Sequence, residues 1–135
     1  MSTTHPEVRK RIEIRWTDLD MLGHLNQAVY HEYLEEARGT LFEQLGAITE
    51  LFAFVLARVE LDYRHEVRKD HGHVEVLVRV QAVGRTSITV RNTILLPDET
   101  VAADGIAVLV AWDPEQRGKR ELTQAEREGL EPVSQ

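Results

Sequence analysis

The chain has 135 residues, which is enough for one domain with a single hydrophobic core. Apolar residues make up 42% of it and charged residues 29%, as is typical of a folded protein and not of a disordered one. The net charge of -7 disfavours partners that are themselves negative, so we expect no binding to nucleic acid or to a membrane surface.

The chain contains no cysteine, which excludes disulfide bonds, thiol nucleophiles and zinc sites with sulfur ligands. Its longest apolar runs, such as Leu51 to Ala57, are far shorter than the roughly 20 residues that span a bilayer. The beginning of the chain also lacks the apolar stretch of a secretory signal. These features predict a cytoplasmic protein.

The first predicted elements are a strand and a long helix. From Val8 onward the apolar residues Ile12, Ile14 and Trp16 alternate with the charged residues Arg11, Glu13 and Arg15, which is the period of a half-buried strand. From Gln27 to Leu45 apolar residues recur at intervals of three and four, which predicts an amphipathic helix. Asn26 is a suitable residue to cap the start of this helix, and Gly46 is suited to end it.

The rest of the chain returns to the period of a strand. Four further strands are predicted, separated by turn signals at Asp70 to Gly72, at Gly84 and at Pro97-Asp98. Asp104-Gly105 fits a turn or a bulge. The alternating residues of the predicted apolar faces run from Val55 to Tyr63, from Val74 to Ala82, from Ile88 to Ile94 and from Ile106 to Trp112.

Short turns join antiparallel neighbours, so we expect the consecutive strands after the helix to pair with each other. This order of elements predicts an α+β fold in which one long helix is wrapped by a curved antiparallel sheet of about five strands. We expect one domain over residues 1–135, with a core from about 8 to 113 and a polar tail from 114 to 135, in which Thr123 and Glu126 have the spacing of a capping box. One helix covers only one face of the sheet, so the other face and the edge strands favour a homodimer.

The segment between the first strand and the helix carries most of the candidate chemistry. It contains Asp18, Asp20 and His24, and it leads into a helix start whose free backbone N–H groups can bind an oxyanion. A carboxylate there could attack a carbonyl group or activate water. The alternative is that both aspartates only form turns and that the histidine is an ordinary loop residue.

A resemblance favours the catalytic interpretation. The segment RWTDLDMLGHLNQAVYHEYLEEAR resembles the signature of the acyl-CoA thioesterases of the 4-hydroxybenzoyl-CoA thioesterase family, and LARVELDYRHEVRKDHGHVEVLVRVQAVGRTSITV resembles later strands of that family. The resemblance covers roughly residues 8 to 113. It implies the hotdog fold, dimers whose sheets pair edge to edge, and active sites at the subunit interface.

The resemblance also implies roles for individual residues. Asp20 corresponds to the catalytic carboxylate, acting as nucleophile or as general base, and the backbone N–H of Gln27 corresponds to the oxyanion donor. Gly23 would allow close approach of the acyl group. His24 and Asn26 resemble residues of the related plant acyl-carrier-protein thioesterases, and we predict that they position the catalytic group.

Further residues are predicted to bind the substrate. The cations Arg58, Arg64 and Arg85 could hold the phosphates of coenzyme A, although such residues are more often solvated surface charges. Ser87 belongs to the same turn region as Arg85, where hotdog thioesterases often contact coenzyme A. Tyr30 could line an acyl pocket or belong to the core.

The predicted function is hydrolysis of an acyl thioester carried by coenzyme A or by an acyl carrier protein. No cofactor and no metal are implied, because His71 and His73 lie in a glycine turn without an obvious third ligand. One alternative is a non-catalytic module that binds acyl-CoA or acyl carrier protein, and another is an oligomeric structural module. The identity of the acyl group and the choice between homodimer and homotetramer remain open.

Overall fold

A computed structural model of the chain describes residues 3–45, 53–131 and 133–134. In this part of the chain, two helices and eight strands are joined by turns, with short 3-10 turns at Trp16–Asp18 and Lys69–His71. The helices are α1 (Gln27–Gln44) and α2 (Gln124–Leu130), and the strands are β1 (Thr3–Thr4), β2 (Glu7–Glu13), β3 (Phe54–Tyr63), β4 (His73–Val83), β5 (Ser87–Leu95), β6 (Val101–Asp113), β7 (Gly118–Lys119) and β8 (Val133–Ser134).

The main sheet is antiparallel and has the strand order β2-β4-β5-β6-β3, with β7 paired to the end of β6. One face packs against α1, and the side chains between them form the core. The predicted fold of one long helix wrapped by a curved sheet is therefore confirmed. The core residues that are buried completely include Leu34 and Ala37 of α1, Val74, Val76, Val78 and Val80 of β4, and Val90 and Ile94 of β5.

Helix α1 begins where the sequence predicts. The side-chain oxygen of Asn26 accepts a hydrogen bond of 2.9 Å from the backbone N–H of Ala28, which satisfies one of the free donors at the helix start. The helix ends at Gln44, and Leu45 is its C-cap. Gly46, the predicted terminator, lies outside the described residues.

The first strand ends earlier than predicted, and Trp16 does not belong to it. Strand β2 ends at Glu13, and the chain then folds into the turn that contains Trp16, whose side chain is 78% exposed. The cause is Asp18, whose carboxylate accepts hydrogen bonds from the backbone and the guanidinium of Arg15 and pulls the chain out of the extended conformation.

The expectation that consecutive strands are neighbours is wrong for β3. This strand pairs with β6 and not with β4, so the segment of residues 64–72 carries the chain across the sheet. A bulge between Leu56 and Arg58 also changes the alternation. As a result Phe54 lies on the core side and is buried, whereas Val55, which the sequence placed on that side, is 37% exposed.

Strand β6 starts earlier than predicted and presents the other apolar face to the helix. Ala107, Leu109 and Ala111 are buried, whereas the predicted face from Ile106 to Trp112 lies on the outer side and is half-buried. Asp104-Gly105 is neither a turn nor a bulge, because the strand runs through it. A Cβ on Gly105 would collide with the carbonyl oxygen of Glu60, so the glycine permits the close approach of β3.

The C-terminal segment is folded onto the rest of the molecule. The predicted capping box is present, because the Thr123 hydroxyl accepts from the Glu126 N–H at 3.1 Å and the Glu126 carboxylate accepts from the Thr123 N–H at 2.9 Å. Leu122 and Leu130 add buried side chains to the core. In the described residues, neither helix combines the length and the hydrophobicity needed to cross a membrane.

Candidate active site

The two aspartates of the segment before α1 lie in different environments. The Asp18 side chain is 4% exposed and accepts hydrogen bonds from Arg15 and, at 2.6 Å, from the Tyr33 hydroxyl. Burial alone would raise the pKa of Asp18, but the hydrogen bonds from Arg15 and Tyr33 outweigh it and lower this pKa below its ordinary value. Asp18 therefore has a structural role in this turn.

Asp20 is exposed, and its own loop holds its carboxylate. Oδ1 accepts hydrogen bonds from the backbone N–H groups of Leu22, at 2.9 Å, and His24, at 3.1 Å. The backbone N–H of Asp20 donates to the carbonyl of His24 at 2.8 Å, which closes the loop. Within the described ranges, the other carboxylate oxygen, Oδ2, makes no hydrogen bond. Asp20 thus presents one fixed oxygen and one free oxygen.

Backbone hydrogen bonds attach this loop to the rest of the fold. The N–H of Leu25 donates to the carbonyl of Val67 at 2.7 Å, and the N–H of Asn26 donates to the carbonyl of Asp18 at 2.9 Å. Gly23 has a φ of 78°, a conformation that glycine adopts without strain. A Cβ at Gly23 would meet no atom within 4 Å, so the backbone conformation and not crowding accounts for glycine here.

The start of α1 lies beside the same carboxylate. Because Gln27 is the first helical residue, its N–H has no acceptor within the helix, and it donates no hydrogen bond in the part of the chain that the structure describes. Gln27 and Asp20 line one cavity of about 390 Å³. Its other lining residues are Leu22, His24, Leu25, Tyr30, Tyr63, Arg64, His65 and Glu66.

His24 has a partner that sequence reasoning missed. Its Nε2 atom lies 2.9 Å from a carboxylate oxygen of Glu66. The contact forms because residues 24 and 68 pair in an isolated β-bridge, which brings the segment after β3 alongside the loop. Nothing local in the sequence connects these two segments, since the bridge depends on the path that β3 takes across the sheet.

Two of the predicted substrate-binding residues, Tyr30 and Arg64, line the Asp20 cavity. Tyr30 is buried, and its ring packs edge-on against Tyr63 with 4.9 Å between the ring centres. Burial raises the pKa of Tyr30, and the charges of Tyr63 and Asp20 add to the effect. The Arg64 guanidinium is exposed and donates a 2.6 Å hydrogen bond to Asp104.

The other three predicted substrate-binding residues line neither cavity beside Asp20. The guanidinium of Arg58, on β3, lies 3.3 Å from the carboxylate of Glu60. The guanidinium of Arg85, in the turn between β4 and β5, lies 3.7 Å from the carboxylate of Glu121. Ser87 is the first residue of β5, where its carbonyl accepts from the N–H of Gly84. A single protomer therefore does not bring these residues together with Asp20 in one cavity.

A second cavity, of about 480 Å³, also borders Asp20. Its other lining residues are Trp16, Leu19, Met21 and Gly23. A larger groove of about 600 Å³ lies between β2 and α1, is lined mostly by charged side chains, and contains no predicted nucleophile. Among the described residues, no three histidine, aspartate or glutamate side chains converge as a metal site would require.

A carboxylate with one free oxygen, next to the free N–H of the first helical residue, can attack an acyl carbonyl group or activate water beside a donor for the oxyanion. The sequence model of the thioesterase-like superfamily matches residues 14–130, and the chain belongs to this family. It is a thioester hydrolase with the hotdog fold, as the sequence predicts.

Two relatives that are named thioesterases agree with this assignment. A thioesterase of Thermus thermophilus, whose crystal structure was determined with coenzyme A and zinc, is 32% identical with a TM-score of 0.83, over 94% of this chain and 92% of its own. The long-chain acyl-CoA thioesterase FadM of Escherichia coli is 27% identical over 93% of this chain and 98% of its own length. The Bacillus subtilis protein YsmA is 30% identical over 58% of this chain, and the match spans 54% of YsmA.

Proposed function

We propose that this protein hydrolyses acyl-CoA thioesters, with Asp20 as the catalytic carboxylate and the backbone N–H of Gln27 as the oxyanion donor. The observation that carries the proposal is the shared cavity of these two groups, in which Asp20 keeps an oxygen without a hydrogen-bond partner among the described residues. A thioester carbonyl placed between them would meet a nucleophile on one side and a hydrogen-bond donor at its oxygen.

Two chemical routes fit this arrangement. In the first, Oδ2 of Asp20 attacks the carbonyl carbon, the carbon–sulfur bond breaks, and the thiolate leaves and takes up a proton; water then hydrolyses the acyl–aspartate anhydride. In the second, Asp20 accepts a proton from a water molecule whose oxygen attacks the same carbon; the carbon–sulfur bond then breaks, and the leaving thiolate takes up the proton from Asp20. Both routes consume one water and release a carboxylic acid and a thiol.

The choice of coenzyme A as the thiol rests on the relatives and on the charges near the cavity. FadM is named an acyl-CoA thioesterase, and the Thermus structure contains coenzyme A. Arg64 and His65 line the cavity and could contact the phosphates of such a substrate. Contacts from Arg58, Arg85 and Ser87 stay predictions, as do an acyl-carrier-protein donor and a cytoplasmic location.

We further propose that His24, Asn26 and Gly23 act as positioning residues. The N–H of His24 binds the Asp20 carboxylate, Asn26 caps the helix that supplies the oxyanion donor, and Gly23 makes the turn between them. Glu66 joins this group, because its contact with His24 fixes the imidazole ring at the wall of the cavity.

We also propose a homodimer formed through the free edge of β3. Along residues 54–63 this strand has β6 on only one side, and its exposed residues include the apolar side chains of Val55, Leu56 and Tyr63. An uncovered apolar edge strand is prone to pair with another chain. Since Tyr63 also lines the Asp20 cavity, such a dimer would bring its interface next to the site.

The test replaces Asp20 by asparagine, which removes the attacking charge and keeps the shape of the side chain. We expect thiol release from a panel of acyl-CoA substrates to fall by about a hundredfold or more, because an amide can neither attack the carbonyl carbon nor accept a proton from water. The other carboxylate among the lining residues of the Asp20 cavity, Glu66, is paired with His24. The matched control is Asp113→Asn, since Asp113 also accepts two backbone N–H groups, those of Glu115 and Gln116, but lines neither cavity beside Asp20.

Three outcomes would contradict the proposal. Full activity of Asp20→Asn would remove Asp20 from catalysis. Tight binding of acyl-CoA by the unmodified protein without thiol release would favour the binding module. The structural module would be favoured if the unmodified protein has no thioesterase activity and Asp20→Asn changes the assembly or the melting temperature. Parallel assays with acyl-CoA and with acyl carrier protein identify the thiol donor.

A further inference from the structure

We infer that the cavity bordered by Trp16, Leu19 and Met21 binds the acyl group of the substrate, that this group is an apolar chain, and that the thiol arm occupies the Gln27 cavity. The inference deepens the proposed function and rests on it. It assigns a direction to the substrate across Asp20 and names two exposed side chains, Trp16 and Met21, that determine specificity.

The first argument is geometric. The carbonyl carbon of a thioester carries two substituents besides its oxygen, the acyl chain and the sulfur, and they leave the carbon in different directions. A carboxylate that attacks this carbon therefore needs space on two sides. Asp20 lines both cavities, so it lies where they adjoin.

The second argument is the chemistry of the two linings. Apart from Asp20, the second cavity is bordered by the apolar side chains of Trp16, Leu19 and Met21 and by Gly23. The first contains Arg64 and other charged or polar side chains. The thiol arm of coenzyme A carries amides and ends in phosphates, which suit the polar side. An apolar acyl chain gains more from the other side, because its burial removes apolar surface from water.

The third argument is that two large apolar side chains of this cavity, those of Trp16 and Met21, are exposed to solvent. Trp16 is 78% exposed and Met21 is exposed completely, although both belong to a loop fixed by hydrogen bonds. The contacts of Asp18 with Arg15 hold the turn at Trp16, and the Asp20 carboxylate holds the turn that follows Met21. Exposed apolar surface beside a catalytic group is typical of a binding site for an apolar ligand.

The experiment measures kcat/KM for straight-chain acyl-CoA substrates from butyryl to dodecanoyl. For the unmodified protein we expect an increase of about three- to fourfold per added methylene until the cavity is filled. Trp16→Ala and Met21→Ala should each reduce this increase and lower the long-chain values by about tenfold or more. The value of kcat/KM for butyryl-CoA should fall much less in these variants, because the short chain reaches less of the cavity. The control is Thr17→Ala, an exposed residue of the same turn that borders neither cavity.

The outcomes separate this inference from the proposed function. If no acyl-CoA releases thiol, or if release does not depend on Asp20, the proposed function fails. If release depends on Asp20 but the dependence on chain length is the same in Trp16→Ala, Met21→Ala and the unmodified protein, the acyl cavity is wrong. Light scattering completes the test, because a smaller assembly for Trp16→Ala would show that a second copy covers this surface and would overturn the inference.

Discussion

Asp18 and Asp20 are two residues apart in the sequence, and their carboxylates differ in burial and in hydrogen bonding. The Asp18 side chain is buried and bonded to Arg15 and Tyr33, so it fixes the turn, whereas Asp20 is exposed and lines two cavities. The sequence could place a carboxylate before the helix, and the resemblance pointed to Asp20. The burial of Asp18 was not predictable, because it depends on Tyr33, a residue on the far side of the loop.

The lowered pKa of Asp18 makes a prediction about acid stability. A carboxyl group whose pKa is lower in the folded state than in the unfolded state stabilises the fold above its unfolded pKa of about 3.9, and this contribution is lost as the pH falls through the folded value. We therefore expect Asp18→Asn to reduce the melting temperature at neutral pH and to reduce it progressively less as the pH falls below the unfolded pKa. Thermal unfolding followed by circular dichroism across this range measures the effect.

The control for this prediction is Asp113→Asn, because Asp113 binds backbone N–H groups only and makes no ion pair in the described residues. At neutral pH, Asp113→Asn should lower the melting temperature less than Asp18→Asn does. Equal melting temperatures of Asp18→Asn and the unmodified protein at every pH would contradict a structural role for Asp18. A constant difference at every pH would contradict the sign of the pKa shift.

At the scale of elements, the sequence predicted the helix caps correctly but did not predict the β-bulges. The start of α1 and the capping box of α2 follow from the side chains of Asn26 and Thr123, which act within one turn of the helix. The prediction of which side chains face the core was partly wrong for β3 and for the end of β4, because one extra residue in a strand reverses the alternation. Ala82 shows the effect, since it follows the bulge in β4 and is exposed although the period predicts burial.

Gly105 provides a prediction about β3. Because a Cβ at this position would collide with the Glu60 carbonyl, Gly105→Ala forces β3 away from β6. We expect a loss of about 3 kcal/mol in the free energy of unfolding, measured by urea denaturation, and a higher KM, because the end of β3 supplies Tyr63 to the cavity.

Gly118→Ala is the matched control, since a Cβ there would meet no atom within 4 Å. It should change the free energy of unfolding by no more than about 0.5 kcal/mol. If the two variants had the same stability, the close approach of β3 at Gly105 would not constrain the fold.

At the scale of the whole molecule, the two edges of the sheet differ in chemistry. The exposed positions of β2 include Glu7, Arg9, Arg11 and Glu13, and charge at an edge discourages pairing. The sequence predicted a dimer but could not say which strand would be free. The position of β3 at the edge follows from its long connection to β4, which the rule of neighbouring strands did not anticipate.

The proposed dimer predicts a different outcome for a charge on each edge. Leu56 is 48% exposed on β3, and Leu56→Lys should convert the dimer to a monomer because it would place an unpaired charge at the interface between the two chains. The same charge on the other edge, in Glu13→Lys, should leave the dimer intact. Multi-angle light scattering distinguishes the two, and a dimer that survives Leu56→Lys would contradict the β3 interface.

The way the loop holds Asp20 also has a consequence for the end of each turnover. In the proposed mechanism, hydrolysis releases a carboxylic acid at the carbon that Asp20 faced, and once this acid ionises two negative charges lie within a few ångströms of each other. Because Oδ1 is fastened to the amides of Leu22 and His24, the aspartate cannot swing away to relieve the repulsion. If Asp20 is the catalytic carboxylate, as proposed, the geometry that favours attack on the neutral thioester disfavours the anionic product, and repulsion from Asp20 promotes release of the acid.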